Sequence, residues 1–118
     1  MVSSIYNSPF SALQAFGIKM SVIANNIANV NTDRFKKSRV ILEQGCHNIV
    51  RVDIRRIDTP GPWIYEWSQG QMTERELSNV NLAEEIPQLM IARRCYEANL
   101  KMVKTRSEIL GKIIDING

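Results

Sequence analysis

LQAFGIKMSVIANNIANV, residues 13–30, places apolar side chains at Leu13, Phe16, Met20, Ile23, Ile27 and Val30, with spacings of 3, 4, 3, 4 and 3. That is a 3.5-residue repeat, the period of a helix that lies along a second helix. The surrounding segment is almost free of charge: Lys19 is the one charged residue in residues 1–32. Its end is rich in amides, at Asn25, Asn26, Asn29 and Asn31. Asparagine forms helices poorly and turns well, so the helix is expected to end near Val30 to Thr32. Ser8 as N-cap and Pro9 in the first helical position give a start.

The partner helix follows about fifty residues later. Leu82, Ile86, Leu89, Arg93, Tyr96, Leu100, Val103, Ser107, Leu110 and Ile114 alternate spacings of 4 and 3. Only Arg93 and Ser107 are not apolar, and an arginine stem can line a seam while its head stays in water. Asn79 or Asn81 can cap this helix, and Glu84 and Glu85 then suit its positive end. Pro87 removes a hydrogen bond and clashes one turn back, a cost of roughly 3 kcal/mol, so a kink or break is expected there.

The middle has another character. Arg39–Gln44 reads as a strand, Gly45–Asn48 as a turn, and Ile49–Ile57 alternates apolar and polar residues as a second strand. Thr59–Pro60–Gly61–Pro62 is a turn, and Trp63–Trp67 a third strand with Trp63, Tyr65 and Trp67 on one face. The fold expected is mainly α with a small β insert. Residues 1–32 and 81–118 form an antiparallel coiled-coil pair, and residues 33–80 a short antiparallel meander, all in one structural domain.

Composition excludes several functions. No run of 18 apolar residues exists to span a membrane, and the N-terminus lacks the basic-then-apolar order of a cleaved secretory signal. A net charge of +3 is too small to imply nucleic acid by itself. The two cysteines, Cys46 and Cys95, make no disulfide framework, and with His47 they lack a metal-binding spacing. No phosphate loop or nucleophile–base pattern is present, so no catalytic residue, cofactor or metal is expected.

The outer positions of the first helix carry the sharper signal. Gln14, Ala15, Ile18, Ser21, Val22, Asn25, Ala28 and Asn29 are small, amide or aliphatic, where an exposed helix pair normally carries Lys and Glu. Burial in a core is one explanation. Coverage by other molecules is the other, and amides suit it because they bond without the cost of burying an ion. Residues 34–56 contain seven Lys or Arg against two Asp or Glu, which reads as a solvated strand face or a contact for an anionic partner.

Two stretches then resemble a known family. SALQAFGIKMSVIANNIANVNTDRFKKSRV is similar to the N-terminal motif of the flagellar rod, hook and hook-associated axial proteins. SNVNLAEEIPQLMIARRCYEANLKMVKTRSEILGKIIDI is similar to their C-terminal motif. The short middle most resembles the small proximal-rod members. The resemblance implies a structural subunit of the bacterial flagellar basal-body rod. Such a subunit would leave through the flagellar type III export apparatus without a cleaved signal. It would assemble in the periplasm with itself and other rod proteins, peptidoglycan being a further partner. It also implies terminal segments that order on assembly.

Carried over residue by residue, the helix-pair seam is Leu13, Phe16, Met20, Ile23, Ile27 and Val30 with Leu82, Ile86, Leu89, Tyr96, Leu100, Val103 and Leu110. The subunit contacts carried over are Asn25, Asn26, Asn29 and Asn31, with Arg94, Glu97 and Asn99 from ARRCYEAN; Ile18 and Val22 join them from the uncharged outer face of the first helix. Arg34 stands where the family usually has glycine, and is expected to resist a positive φ. Two further readings stand beside this one: a rod-derived coiled-coil adaptor working as a soluble interaction module, and a small basic protein binding nucleic acid or cell wall through residues 34–56.

Overall fold

The computed structural model describes residues 2–46 and 49–117. Helix α1 spans Val2–Ala28 and helix α2 spans Leu82–Asn117. Strands β1 (Ser38–Gln44), β2 (Val50–Arg56), β3 (Trp63–Ser68) and β4 (Gln71–Glu76) lie between them. The fold is therefore mainly α with a β insert. The insert is two separate antiparallel hairpins, β1–β2 and β3–β4, rather than one three-stranded meander. The fourth strand was missed at the sequence level, although its signal is present. Gln69 and Gly70 take φ values of 50° and 77° and close a two-residue turn between Ser68 and Gln71, with glycine at its second position.

The helices pack antiparallel. Asn26 near the end of α1 bonds Glu85 in the first turns of α2, and Tyr96 lies 3.9 Å from a Cβ built at Gly17. The β1–β2 hairpin covers a second side of α1. Ser38 sits against Asn26, and the Val50 amide donates to Ser11 Oγ at 2.6 Å, so the hairpin runs along the helix. The most buried line of α1, Ala12, Ala15, Ile23 and Asn26, belongs to this doubly covered side. Full burial of a side chain such as Ile23 contributes about 2 kcal/mol.

Both prolines lie inside helices, where a helix start at Pro9 and a kink or break at Pro87 were expected. Helix α1 is already formed at Val2 and runs through Pro9. Helix α2 runs through Pro87 without a break. Its first turn is held from outside: Asn81 Oδ1 accepts from the Ala83 amide at 3.0 Å, and the Glu85 side chain is anchored to α1 and β1. Asn81 is thus the cap. Asn79 joins loops instead, accepting from the Lys37 amide and donating to the Ile57 and Thr59 carbonyls.

Arg34 does adopt the left-handed conformation, with φ of 60°, and its amide donates to the Glu76 carbonyl at 3.1 Å. The tertiary bond overrides the side chain's preference, which costs about 1–2 kcal/mol for a non-glycine residue. Arg34→Gly is expected to stabilise the chain by up to about 1 kcal/mol, after the flexibility glycine adds to the unfolded state. A urea midpoint that falls on this substitution would contradict the strain.

The molecule is a rod. Its extents are 82 × 24 × 18 Å and its radius of gyration is 21.1 Å. A compact chain of this length would have a radius near about 13.5 Å.

Candidate assembly surfaces

A polar node sets how the helices meet. Asn26 is fully buried. Its Nδ2 donates to the Ser38 carbonyl at 2.8 Å and to Glu85 Oε2 at 3.3 Å, while its Oδ1 accepts from the Ser38 amide at 3.0 Å. Glu85 is also fully buried, and Arg39 Nη1 pairs with its Oε1 at 2.7 Å. Arg39 and Lys37 reach Glu84 at 3.0 and 3.3 Å. One amide and one carboxylate thereby join α1, β1 and α2. Among the described residues no buried side-chain polar atom lacks a partner.

This node corrects two expectations. Asn26 is fully buried and bonds Ser38 and Glu85 inside the chain, which keeps it from another subunit. The line of α2 toward α1 is Glu85, Leu89, Ala92, Tyr96, Asn99, Val103, Arg106 and Leu110, all buried or half-buried. Leu89, Tyr96, Val103 and Leu110 are half-buried. Leu82, Ile86 and Leu100 are 38%, 47% and 50% exposed. The alternate row has moved back by one residue, because Ala92 allows close approach and Glu85 finds a cation and an amide. On α1, Ile23 is buried and Leu13, Phe16, Met20 and Ile27 are half-buried, as is Val30 in the turn that follows.

The outward face of α1 is formed by Phe10, Gln14, Ile18, Ser21, Ala24, Asn25 and Ala28, all exposed and none charged. Lys19 is half-buried, Ala15 is buried, and Val22 is half-buried. Asn29 closes the helix, donating to the Asn25 carbonyl at 2.9 Å and accepting from Thr32 Oγ1, while Asn31 is exposed. On α2, Arg94 and Glu97 are exposed and, with Met90 and Arg93, line an open cavity of about 450 Å³. Glu97 pairs with Arg93 at 3.1 Å, and the Asn99 amide donates to the Cys95 carbonyl.

The basic run of residues 34–56 is mostly matched within the chain. Lys36 pairs with Glu76, Lys37 and Arg39 with Glu84 and Glu85, Arg55 with Asp53, and Arg56 with Asp58. Arg34, Arg51, Arg55 and Arg56 remain exposed. His47 lies outside the described residues. Among those described, no group of three His, Cys, Asp or Glu could hold a metal, and no helix is long and apolar enough to cross a membrane.

The Lys36 ammonium, bonded to Glu76, and the Gly61 amide, donating to it at 3.2 Å, hold the Glu76 carboxyl below the usual carboxylate range against the opposing effect of burial. A depressed folded pKa contributes stability above the ordinary value, about 4.3, and loses it as pH falls through the folded value. Thermal midpoints of the wild type should therefore drop more steeply than those of Glu76→Gln below about pH 4. Parallel curves for the two proteins would remove this role.

Comparison with known proteins identifies the context. Residues 8–36 match the family model described as flagella basal body rod protein, and residues 69–116 match the flagellar basal body rod FlgEFG protein C-terminal model. The first match covers most of α1 and the turn after it, and the second covers β4 and most of α2, in chain order. Both ends of the chain are thus similar to flagellar basal-body rod proteins. It is 26% identical over 131 residues to the basal-body rod protein FlgC of Buchnera aphidicola subsp. Acyrthosiphon pisum, covering 97% of this chain and 96% of that protein. It is 28% identical over 148 residues to FlgC of Borreliella burgdorferi, covering 98% and 97%. Against FlgG of Buchnera aphidicola subsp. Baizongia pistaciae it is 38% identical over 79 residues, 63% of this chain, and spans only 30% of that FlgG. The chain is thus FlgC-like in extent. Rod proteins are structural, and this one is a structural protein rather than an enzyme.

Proposed function

We propose that the chain is a subunit of the flagellar basal-body rod that assembles with itself and other axial proteins through its terminal helices. The observation that carries this reading is the charge-free exposed face of α1, from Phe10 to Ala28. A solvated helix of this length would carry charge on its outward face. Amides and small side chains instead suit a neighbour that removes water without stranding an ion. Ile18, Asn25 and Asn31 contribute to this contact, and Arg94 and Glu97 present a second one on α2. The division into residues 1–32, 33–80 and 81–118 assigns assembly to the ends and spacing to the middle. Export through the flagellar apparatus and a periplasmic position at the peptidoglycan complete the reading.

The test is a double substitution on the exposed face, Ser21→Glu with Asn25→Glu. The helix pair should fold as before by circular dichroism. Basal bodies isolated from cells carrying only this variant should lack a complete rod. Complete rods in those cells would refute the assembly face.

A further inference from the structure

The 82 Å length of the molecule exceeds that of α2, whose 36 residues span about 54 Å. The β3–β4 hairpin supplies the excess. It joins the rest of the chain beside the start of α2, through Arg34 and Lys36 to Glu76, and does not pack along either helix. Its one face carries Trp63, Tyr65 and Trp67, with Met72 opposite Trp67 and Glu74 opposite Tyr65. The three rings are 52%, 64% and 73% exposed and Met72 65%. This is roughly 500 Å² of apolar surface, toward the upper limit for a free monomer.

The far end of α2 is also apolar and uncovered. Ile109, Ile113, Ile114 and Ile116 are 52%, 47%, 68% and 83% exposed. The two ends differ in charge. Residues 63–76 hold Glu66, Glu74 and Glu76 against Arg75, a net of −2. Residues 101–117 hold Lys101, Lys104, Arg106 and Lys112 against Glu108 and Asp115, a net of +2. Hairpin on hairpin would oppose like charges, and so would tip on tip. Hairpin on tip matches aromatic to aliphatic surface and negative to positive.

We propose that the aromatic face of β3–β4 docks on the isoleucine-rich end of α2 in a second copy of this chain. The inference rests on the assembly reading above and adds a longitudinal contact to it. The surfaces lie at opposite ends of a long molecule, so the contact is heterologous and does not close. Together they bury about 1,000 Å², the lower limit for a specific interface, which gives concentration-dependent association.

Two blocked variants test it, both carried on the Ser21→Glu, Asn25→Glu chain so that the α1 face cannot contribute: Tyr65→Ser with Trp67→Arg at the hairpin, and Ile114→Asp with Ile116→Asp at the tip. All four residues are exposed, and circular dichroism checks that the helices persist. By sedimentation at low salt, wild-type mass should rise with concentration, and each variant alone should stay monomeric. An equimolar mixture should double in mass and grow no further, since it holds one intact hairpin and one intact tip. Self-dimerisation of either variant, a mixture that stays monomeric, or a monomeric wild type would overturn the contact. The Ser21→Glu, Asn25→Glu chain separates the two readings: its end-to-end association should survive even where its rods do not.

Discussion

Arg39→Met is expected to cost about 3–5 kcal/mol, the range for leaving a buried charge without its partner. Glu85 has no exposed surface, and among the described residues Arg39 is the cation paired with it. Without that guanidinium its carboxylate keeps one donor, Asn26 Nδ2 at 3.3 Å. The same node holds the start of α2 against α1, so helix content and tertiary stability should fall together. Glu85→Gln keeps the size and an acceptor and should cost less, about 1–2 kcal/mol. Arg39→Met combined with Glu85→Leu should recover most of the loss, since a well-packed apolar replacement of a buried pair is often neutral. Urea unfolding followed by circular dichroism reads all four chains. If the double variant is as unstable as Arg39→Met alone, the uncompensated charge is not the cause.

The node also explains what could be read from the sequence. The heptads of residues 13–30 and 82–114 announced two long helices, and the structure has both. Their exact faces were less legible, for a physical reason. In α2 two adjacent rows share Leu89, Tyr96, Val103 and Leu110, and differ in using either Ile86 and Leu100 or Glu85, Ala92 and Asn99. Hydropathy favours the first row. The structure takes the second, because Arg39 and Asn26, distant in sequence, neutralise and bond Glu85. No local pattern carries that information. Asn26 is the same case on α1: among four asparagines it alone meets the edge of β1, and only the tertiary fold separates it from Asn25. The β insert was half legible. Alternation located β1 and β2, whereas β4, with the polar sequence QMTERE, packs against no core and so has no apolar alternation to show.

Gly61→Ala should be nearly as damaging as the loss of Arg39, through sterics rather than charge. A Cβ at Gly61 would lie 2.0 Å from the Leu77 carbonyl oxygen and 2.9 Å from the Leu77 and Ser78 carbonyl carbons. All three are backbone atoms of the segment that leads from β4 into α2, so no side chain can swing aside. Accommodating a methyl group means opening the two segments by more than 1 Å, since Cβ contacts under 3.0 Å essentially do not occur. That movement breaks the Leu77 amide to Pro62 carbonyl bond at 2.8 Å and the Gly61 amide bond to Glu76, and it strains the two Asn79 bonds to the Ile57 and Thr59 carbonyls. At about 1 kcal/mol for each bond, the expected loss is roughly 3 kcal/mol. The junction is also what aims the β3–β4 hairpin away from the helix pair. Amide exchange at Leu77 and Lys37 should accelerate at least tenfold, more than exchange within α2 beyond Tyr96. End-to-end association should weaken by a similar factor, because the hairpin keeps its aromatic face and loses its fixed direction. A Gly61→Ala chain with unchanged Leu77 protection would mean that the junction yields cheaply. The hairpin's orientation would then have to be fixed elsewhere.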